Sequence, residues 1–99
     1  MILEVAVLNV QPGQEADFES TIRRARPLIA ASPGFMNMEV RRCVETQYRN
    51  LLLVNWRALE DHMVGFRQSE HYQEWRAILH HFYDPFPLVE HYAPPLDLV

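Results

Sequence analysis

The chain has a single cysteine, three glycines and no excess of positive charge, and each shortage removes a class of function. Cys43 alone cannot close an internal disulfide, and the N-terminus enters a strand pattern directly, without a basic segment, apolar run and small-residue cleavage site. A reducing, cytoplasmic location is therefore expected. Nine basic residues against thirteen acidic ones give a net charge of −4, which provides no footprint for a nucleic-acid backbone. The one basic cluster, Arg23-Arg24-Ala25-Arg26, reads as the solvated face of a helix. No apolar run approaches the roughly 20 residues that cross a bilayer, so no membrane role is expected. Glycine-rich phosphate loops, a nucleophile elbow and paired-carboxylate spacing are also missing, which leaves nucleotide, hydrolase and glycosidase readings without support.

What is present is the composition of one ordinary globular domain over residues 1–99, with 48% hydrophobic and 22% charged residues. Ile2 to Val10 is apolar at nearly every position and ends at Pro12-Gly13, the pattern of a strand buried on both faces. Phe18, Ile22, Ala25 and Ile29 recur at helical spacing, which predicts a helix from Gln14 to Ala31 with a kink or tightened turns at Pro27. Ser32-Pro33-Gly34 ends it. Phe35 to Val44 reads as a half-exposed strand with Met36, Met38 and Val40 on one side. Tyr48 to Arg57, with Leu51 to Val54 at its centre, reads as a second doubly buried strand.

Acids at Glu60 and Asp61 open a second helical region running from Leu59 to Phe82. Gly65 and the polar run Arg67 to Glu70 divide it, and Tyr72, Trp75, Ile78 and Leu79 are expected to point inward. The last strand spans Pro87 to Tyr92, its proline suiting an outer position. The order strand, helix, strand, strand, helix, strand is the split βαβ motif of the ferredoxin-like α+β fold: a four-stranded antiparallel sheet with two helical regions on one face. Right-handed crossovers put the first and third strands in the middle. Both helical regions then cover one sheet face. The apolar side chains of the other face need a second subunit, so a homodimer stacked through its sheets is expected.

The segments Leu52 to Trp56, Leu59 to His62, Phe66-Arg67, Ser69 to Trp75 and Ser32 to Phe35 resemble the antibiotic-biosynthesis-monooxygenase family of dimeric α+β barrels. That resemblance covers nearly the whole chain and implies an active site between the sheet and the helices. The family includes heme degraders, cofactor-independent oxygenases of anthrones and quinols, and many members of unknown activity. The heme-degrading branch uses an Asn in the first strand and a His on the second helical region, where this chain has Ala6 and Arg76. That disfavours heme. The anthrone-oxygenase branch uses a Trp and an Arg that match Trp56 and Arg76, together with an Asn and a Tyr that are replaced by Leu52 and His62.

His62, Phe66, Ser69, Tyr72 or Gln73, Arg76 and His80 fall at helical spacings of three or four and define a mixed polar and apolar stripe. An oxygenase without a cofactor takes its electron from the substrate anion, so it needs a base and a cation. His62 and Arg76 are the candidate catalytic pair, and Trp56, Phe66 and Tyr72 the candidate substrate-binding walls. No cofactor or metal is expected. The cluster His80 to Tyr92 is rich in ionisable groups, but adjacent histidines on a helix point about 100° apart. It reads better as a rigid linker with dimer contacts. The expected function is a cofactor-independent monooxygenase of a small aromatic phenol, quinol or polyketide-like molecule. The alternative is a non-catalytic dimeric module that binds a small ligand or a partner. Loss of the Asn and the Tyr favours that alternative.

Overall fold

The computed structural model describes all 99 residues. Strand β1 (Ile2–Asn9) is followed by helix α1 (Glu15–Ala30), strands β2 (Phe35–Arg42) and β3 (Arg49–Trp56), a π-helical segment (Asp61–Phe66), helix α2 (Glu70–Leu79), a short 3-10 turn (His80–Phe82) and strand β4 (Val89–Tyr92). The antiparallel sheet has the order β2-β3-β1-β4, so the two strands with apolar centres lie in the middle. This is the ferredoxin-like α+β fold. Both the topology and the central placement of β1 and β3 follow the sequence pattern.

The burial of β1 is one-sided. Glu4, Ala6 and Leu8 are buried against the helical layer, whereas Leu3 and Val5 are half-buried and Val7 is exposed on the opposite face. In β3 the same division separates buried Leu52, Val54 and Trp56 from half-buried Leu51 and Leu53. Period-two geometry explains it: the helices cover only one set of alternate residues. In β2 a register irregularity between Phe35 and Asn37 places Phe35, Met38 and Val40 toward the helices. Met36, expected with Met38 and Val40, is exposed because the bulge moves it out of phase.

Helix α1 buries Phe18, Thr21, Ile22, Ala25 and Ile29, one stripe at helical spacing. Pro27 lies inside its last turn, which tightens: Ser32 N–H donates to Ile29 O at 3.0 Å. The second helical region is broken as its polar run suggests. Ser69 caps α2 by accepting from the Tyr72 N–H at 3.2 Å, which satisfies a donor the helix itself leaves free. Trp75 and Leu79 are buried and Tyr72 packs on the core, but Ile78 is exposed. Ile78 lies on the flank of that stripe, beyond the sheet's reach.

Gly34 closes α1 onto β2 with φ +87°, and a Cβ there would collide with the Asp61 side chain. Asp61 is held in place because its Oδ2 accepts from the Ala58 N–H at 3.1 Å. Gly13 has a similar φ of +86° but open space around it. Gly34→Ala is therefore expected to cost about 2–4 kcal/mol in urea unfolding, against about 1 kcal/mol for Gly13→Ala, where only the backbone strain applies. Equal costs would mean that the Asp61 contact carries no weight.

Candidate active site

The site is built around an acid in an apolar strand. Glu4 lies on the helix-facing side of β1, 5% exposed, and its register partners are Val54 on β3 and His91 on β4. A carboxyl group taken out of water needs compensating donors. The Trp56 indole Nε1–H donates to Glu4 Oε1 at 2.9 Å, and His62 Nε2 stands 3.4 Å from the same oxygen. His62, in the first turn of the π-helical segment, is 3% exposed and stacks on Trp56 with ring centroids 5.2 Å apart and planes 14° apart. Its Nδ1 lies 2.7 Å from Nε2 of His91. Glu4, His62 and His91 thus form one continuous chain running from the core to the edge strand.

The electrostatics follow from burial. Desolvation raises the Glu4 pKa, against the opposing effects of the Trp56 hydrogen bond and the Arg67 charge. Desolvation, reinforced by Arg67 and His91, lowers the His62 pKa to about 3, so the imidazole is neutral at pH 7. Desolvation, then Arg67, also lowers the His91 pKa. Two neutral imidazoles 2.7 Å apart share one proton, one donating and the other accepting. Each nitrogen of His62 serves a different neighbour: Nδ1 is hydrogen-bonded to His91 and Nε2 stands against Glu4, so the three groups form a linear chain and not a common ligand set.

Glu4 and His62 form the polar end of a cavity of about 330 Å³ between the sheet and the helices. Ala6, Leu8 and Leu52 make its floor, Ile29, Phe66, Tyr72 and Trp75 its walls, and Phe86, Pro87 and Leu88 its rim. The small side chain of Ala6, set between Glu4 and Leu8, keeps that floor low. Arg67 lines the cavity beside Glu4 and forms no ion pair. Also in its lining are His80, whose Nδ1 is buried without a hydrogen-bond partner, and Tyr83, whose hydroxyl pKa burial raises. A wider depression of about 510 Å³ between α1 and β2 is open-sided, and Arg42 there is already engaged by both carboxylate oxygens of Glu19. The inner cavity, apolar with a few convergent polar groups, is the better site for a small molecule.

Of the residues expected from sequence, the structure brings together Trp56, His62, Phe66 and Tyr72: Trp56 stacks beneath His62 and the other three line the cavity. Arg76 is exposed and does not line it; the guanidinium at the cavity is that of Arg67. The reason is helical phase. On α2 the inward face runs through Tyr72, Trp75 and Leu79, and Arg76, one residue past Trp75, is turned about 100° away from it, while His80 returns to the lining. Sequence reasoning also missed Glu4 and His91. The signal for Glu4 was available as a lone acid at the same parity as Ala6 and Leu8; that for His91 required the β1–β4 register.

With this geometry in hand, the comparisons with known proteins are specific. The sequence profile of the family described as antibiotic biosynthesis monooxygenase matches residues 1–78. The uncharacterized protein YczJ of Bacillus subtilis is 47% identical over 92 residues, covering 93% of this chain and 97% of that protein. A crystal structure of a candidate antibiotic biosynthesis monooxygenase from Bordetella bronchiseptica superposes with a TM-score of 0.91 at 40% identity, over 96% of this chain and 97% of the other. One from Caulobacter crescentus shares the fold at 19% identity, with a TM-score of 0.83 over 96% and 90% of the two chains. The chain belongs to the antibiotic biosynthesis monooxygenase family.

The depressed His62 pKa has a stability consequence. A group whose folded pKa lies below its unfolded value of 6.5 contributes stability that is present above pH 6.5 and is lost as the pH falls toward 3, because the unfolded chain binds the proton first. Glu4 acts oppositely: its raised pKa makes deprotonation above 4.5 unfavourable to the fold. Denaturation midpoints measured from pH 7 to pH 4 are expected to fall steadily in the wild type and less steeply in His62→Phe, which keeps the stack on Trp56 but cannot be protonated. Parallel profiles would show that folding does not depress the His62 pKa.

Proposed function

We propose that this member of the antibiotic biosynthesis monooxygenase family is a cofactor-independent monooxygenase acting on a small aromatic phenol, quinol or polyketide-like molecule. One observation carries the reading: an apolar cavity with aromatic walls holds a buried carboxyl–imidazole pair and an unpaired guanidinium at one end. Removing a phenolic proton generates the electron-rich anion that reduces dioxygen. An arginine beside the oxygen favours that anion over the neutral phenol. Overall, such a substrate loses two hydrogens, gains one oxygen atom, and releases the second oxygen atom of dioxygen as water. Phe66, Tyr72 and Trp75 supply flat surfaces for an aromatic ring, and Trp56 supports them from behind His62.

The test is dioxygen consumption by metal-stripped protein across naphthols, anthrones and benzoquinols, with heat-denatured protein as the blank. Protein-dependent uptake is expected, falling about tenfold or more in Arg67→Gln and changing less than about twofold in Arg76→Gln. Saturable binding with flat oxygen traces would instead favour a non-catalytic ligand-binding module.

The quaternary state proposed for this chain is a homodimer. Leu3, Val5, Leu51 and Leu53 form a half-exposed apolar strip on the sheet face that the helices leave open, and a second copy stacked there would cover it symmetrically. Sedimentation is expected to give twice the 11.7 kDa chain mass, and Leu53→Glu to give the monomer. A monomeric wild type would remove the dimer. A cytoplasmic location suits the free thiol of Cys43.

A further inference from the structure

The position of His62 limits what it can do. Both ring nitrogens face protein partners, Nε2 toward Glu4 and Nδ1 toward His91, so neither is free to meet a ligand in the cavity. Glu4 differs. Its Oε1 takes the Trp56 hydrogen bond and faces His62, while its Oε2 makes no hydrogen bond, and the residue lines the cavity. His91 sits behind, half-buried on the edge strand β4, outside the cavity lining and in register with Glu4 across β1. The chain therefore has a cavity end, a buried middle and an end at the margin of the fold.

We propose that Glu4 is the proton acceptor of the site and that His62 and His91 carry its proton to solvent. This deepens the reading above and rests on the same cavity. The phenol O–H bond breaks, its electron pair stays on oxygen as a phenolate facing Arg67, and an O–H bond forms on the Glu4 carboxylate. The Glu4 carboxylic acid then turns by half a rotation, which brings its protonated oxygen to His62 and the other oxygen to Trp56, and passes the proton to His62 Nε2; His62 passes its Nδ1 proton to His91 Nε2, and His91 gives up its Nδ1 proton to water. Glu4 returns to the carboxylate, and each imidazole ends as its other neutral tautomer, so no charge accumulates in the core.

The groups that face this chain are consistent with that role. Trp56 from β3 donates to Glu4 in either protonation state, and after the carboxyl group turns the second oxygen can accept the same bond. Arg67, following the π-helical segment, disfavours a standing positive charge on His62 and on His91, which suits a relay that passes protons without storing them. His80 and Tyr83 also line the cavity, with the charges of Arg76 and Arg67 acting on His80, and neither is hydrogen-bonded to the chain. Burial brings the Glu4 carboxyl closer in acidity to a phenol, and a smaller gap between donor and acceptor makes the transfer more effective.

The experiment uses 4-nitrophenol, whose absorbance reports phenolate in the cavity, together with a pH indicator that reports the proton in bulk water. Wild-type protein is expected to ionise the bound phenol and release the proton without delay. Glu4→Gln, which preserves an acceptor for Trp56, is expected to bind the probe as neutral phenol. His91→Gln is expected to form phenolate with proton release slowed about tenfold or more, and added imidazole to restore it. Ionisation retained in Glu4→Gln, or unslowed release in His91→Gln, overturns the proposal, as does a wild type that does not bind or does not ionise the probe. Should Glu4→Gln fail to fold, the His91→Gln release and its imidazole rescue decide the question alone. Ionisation and relay without dioxygen uptake from any phenol or quinol would remove the monooxygenase reading while leaving the relay standing.

Discussion

A carboxyl group buried in a helix-facing strand is the constraint around which the rest of this fold is arranged. Moving an ionisable group from water into an apolar layer costs several kcal/mol unless donors replace its hydration. At Glu4 those partners arrive from three elements: Trp56 from β3, His62 from the π-helical segment, and through it His91 from β4. Each of these elements must be in register for the others to be satisfied. The Glu4–Val54 and Glu4–His91 pairings place the carboxyl beside both neighbours, and the stacked indole and imidazole cover it from the helical side. The same arrangement makes the site part of the core, because Trp56, whose truncation would cost about 3–5 kcal/mol, is both structural wall and hydrogen-bond donor.

The π-helical segment is the local feature that makes this closure work. A regular helix after Asp61 would carry its residues past the sheet at a steady 100° per residue. His62 and Phe66, four residues apart, are both buried over Trp56 with centroids 6.4 Å apart, and the wider turn is followed by Arg67 at the cavity before Ser69 caps a new helix. π-helical turns are costly relative to α-helix and concentrate at functional sites. Here the turn places a buried imidazole, an aromatic wall and a guanidinium within six residues. Gly34 and Asp61 pin its start against the β2 entry, so the loop before β2 and the site share one contact.

Much of the fold was legible in the sequence because it depends on alternation and spacing. The apolar centres of β1 and β3 indicated the middle of the sheet, the Phe18 to Ile29 stripe indicated the buried side of α1, and the polar run around Gln68 marked the break before α2. What was not legible depends on departures from regular period. The bulge at Met36 inverts one residue of β2, and the break before Ser69 sets α2 with Trp75 rather than Arg76 inward, so that Arg67 is the guanidinium at the cavity. Glu4 was hidden for a different reason: one acid in an apolar strand reads as a surface interruption until its parity is matched to a covered face. His62 was recognised by type, but its partners are 58 residues before it on β1 and 29 after it on β4, and only pairing of the strands brings them together.

Family membership and site chemistry answer separate questions here. The fold hosts unrelated activities, and the features that identify the family are mainly turns, caps and core aromatics. Glu4 and His62 fall within the matched residues 1–78, while His80, Tyr83 and His91 lie beyond them. A buried carboxyl–imidazole pair with a half-buried third group is expensive to maintain in a domain of 99 residues, whose total stability is only about 5–15 kcal/mol. An apolar replacement of Glu4 and His62 would pack the same volume without desolvation cost, as buried ion pairs elsewhere show. Packing alone therefore gives no reason for a carboxyl and two imidazoles to occupy this layer, whereas proton transfer at the end of an aromatic-lined cavity does.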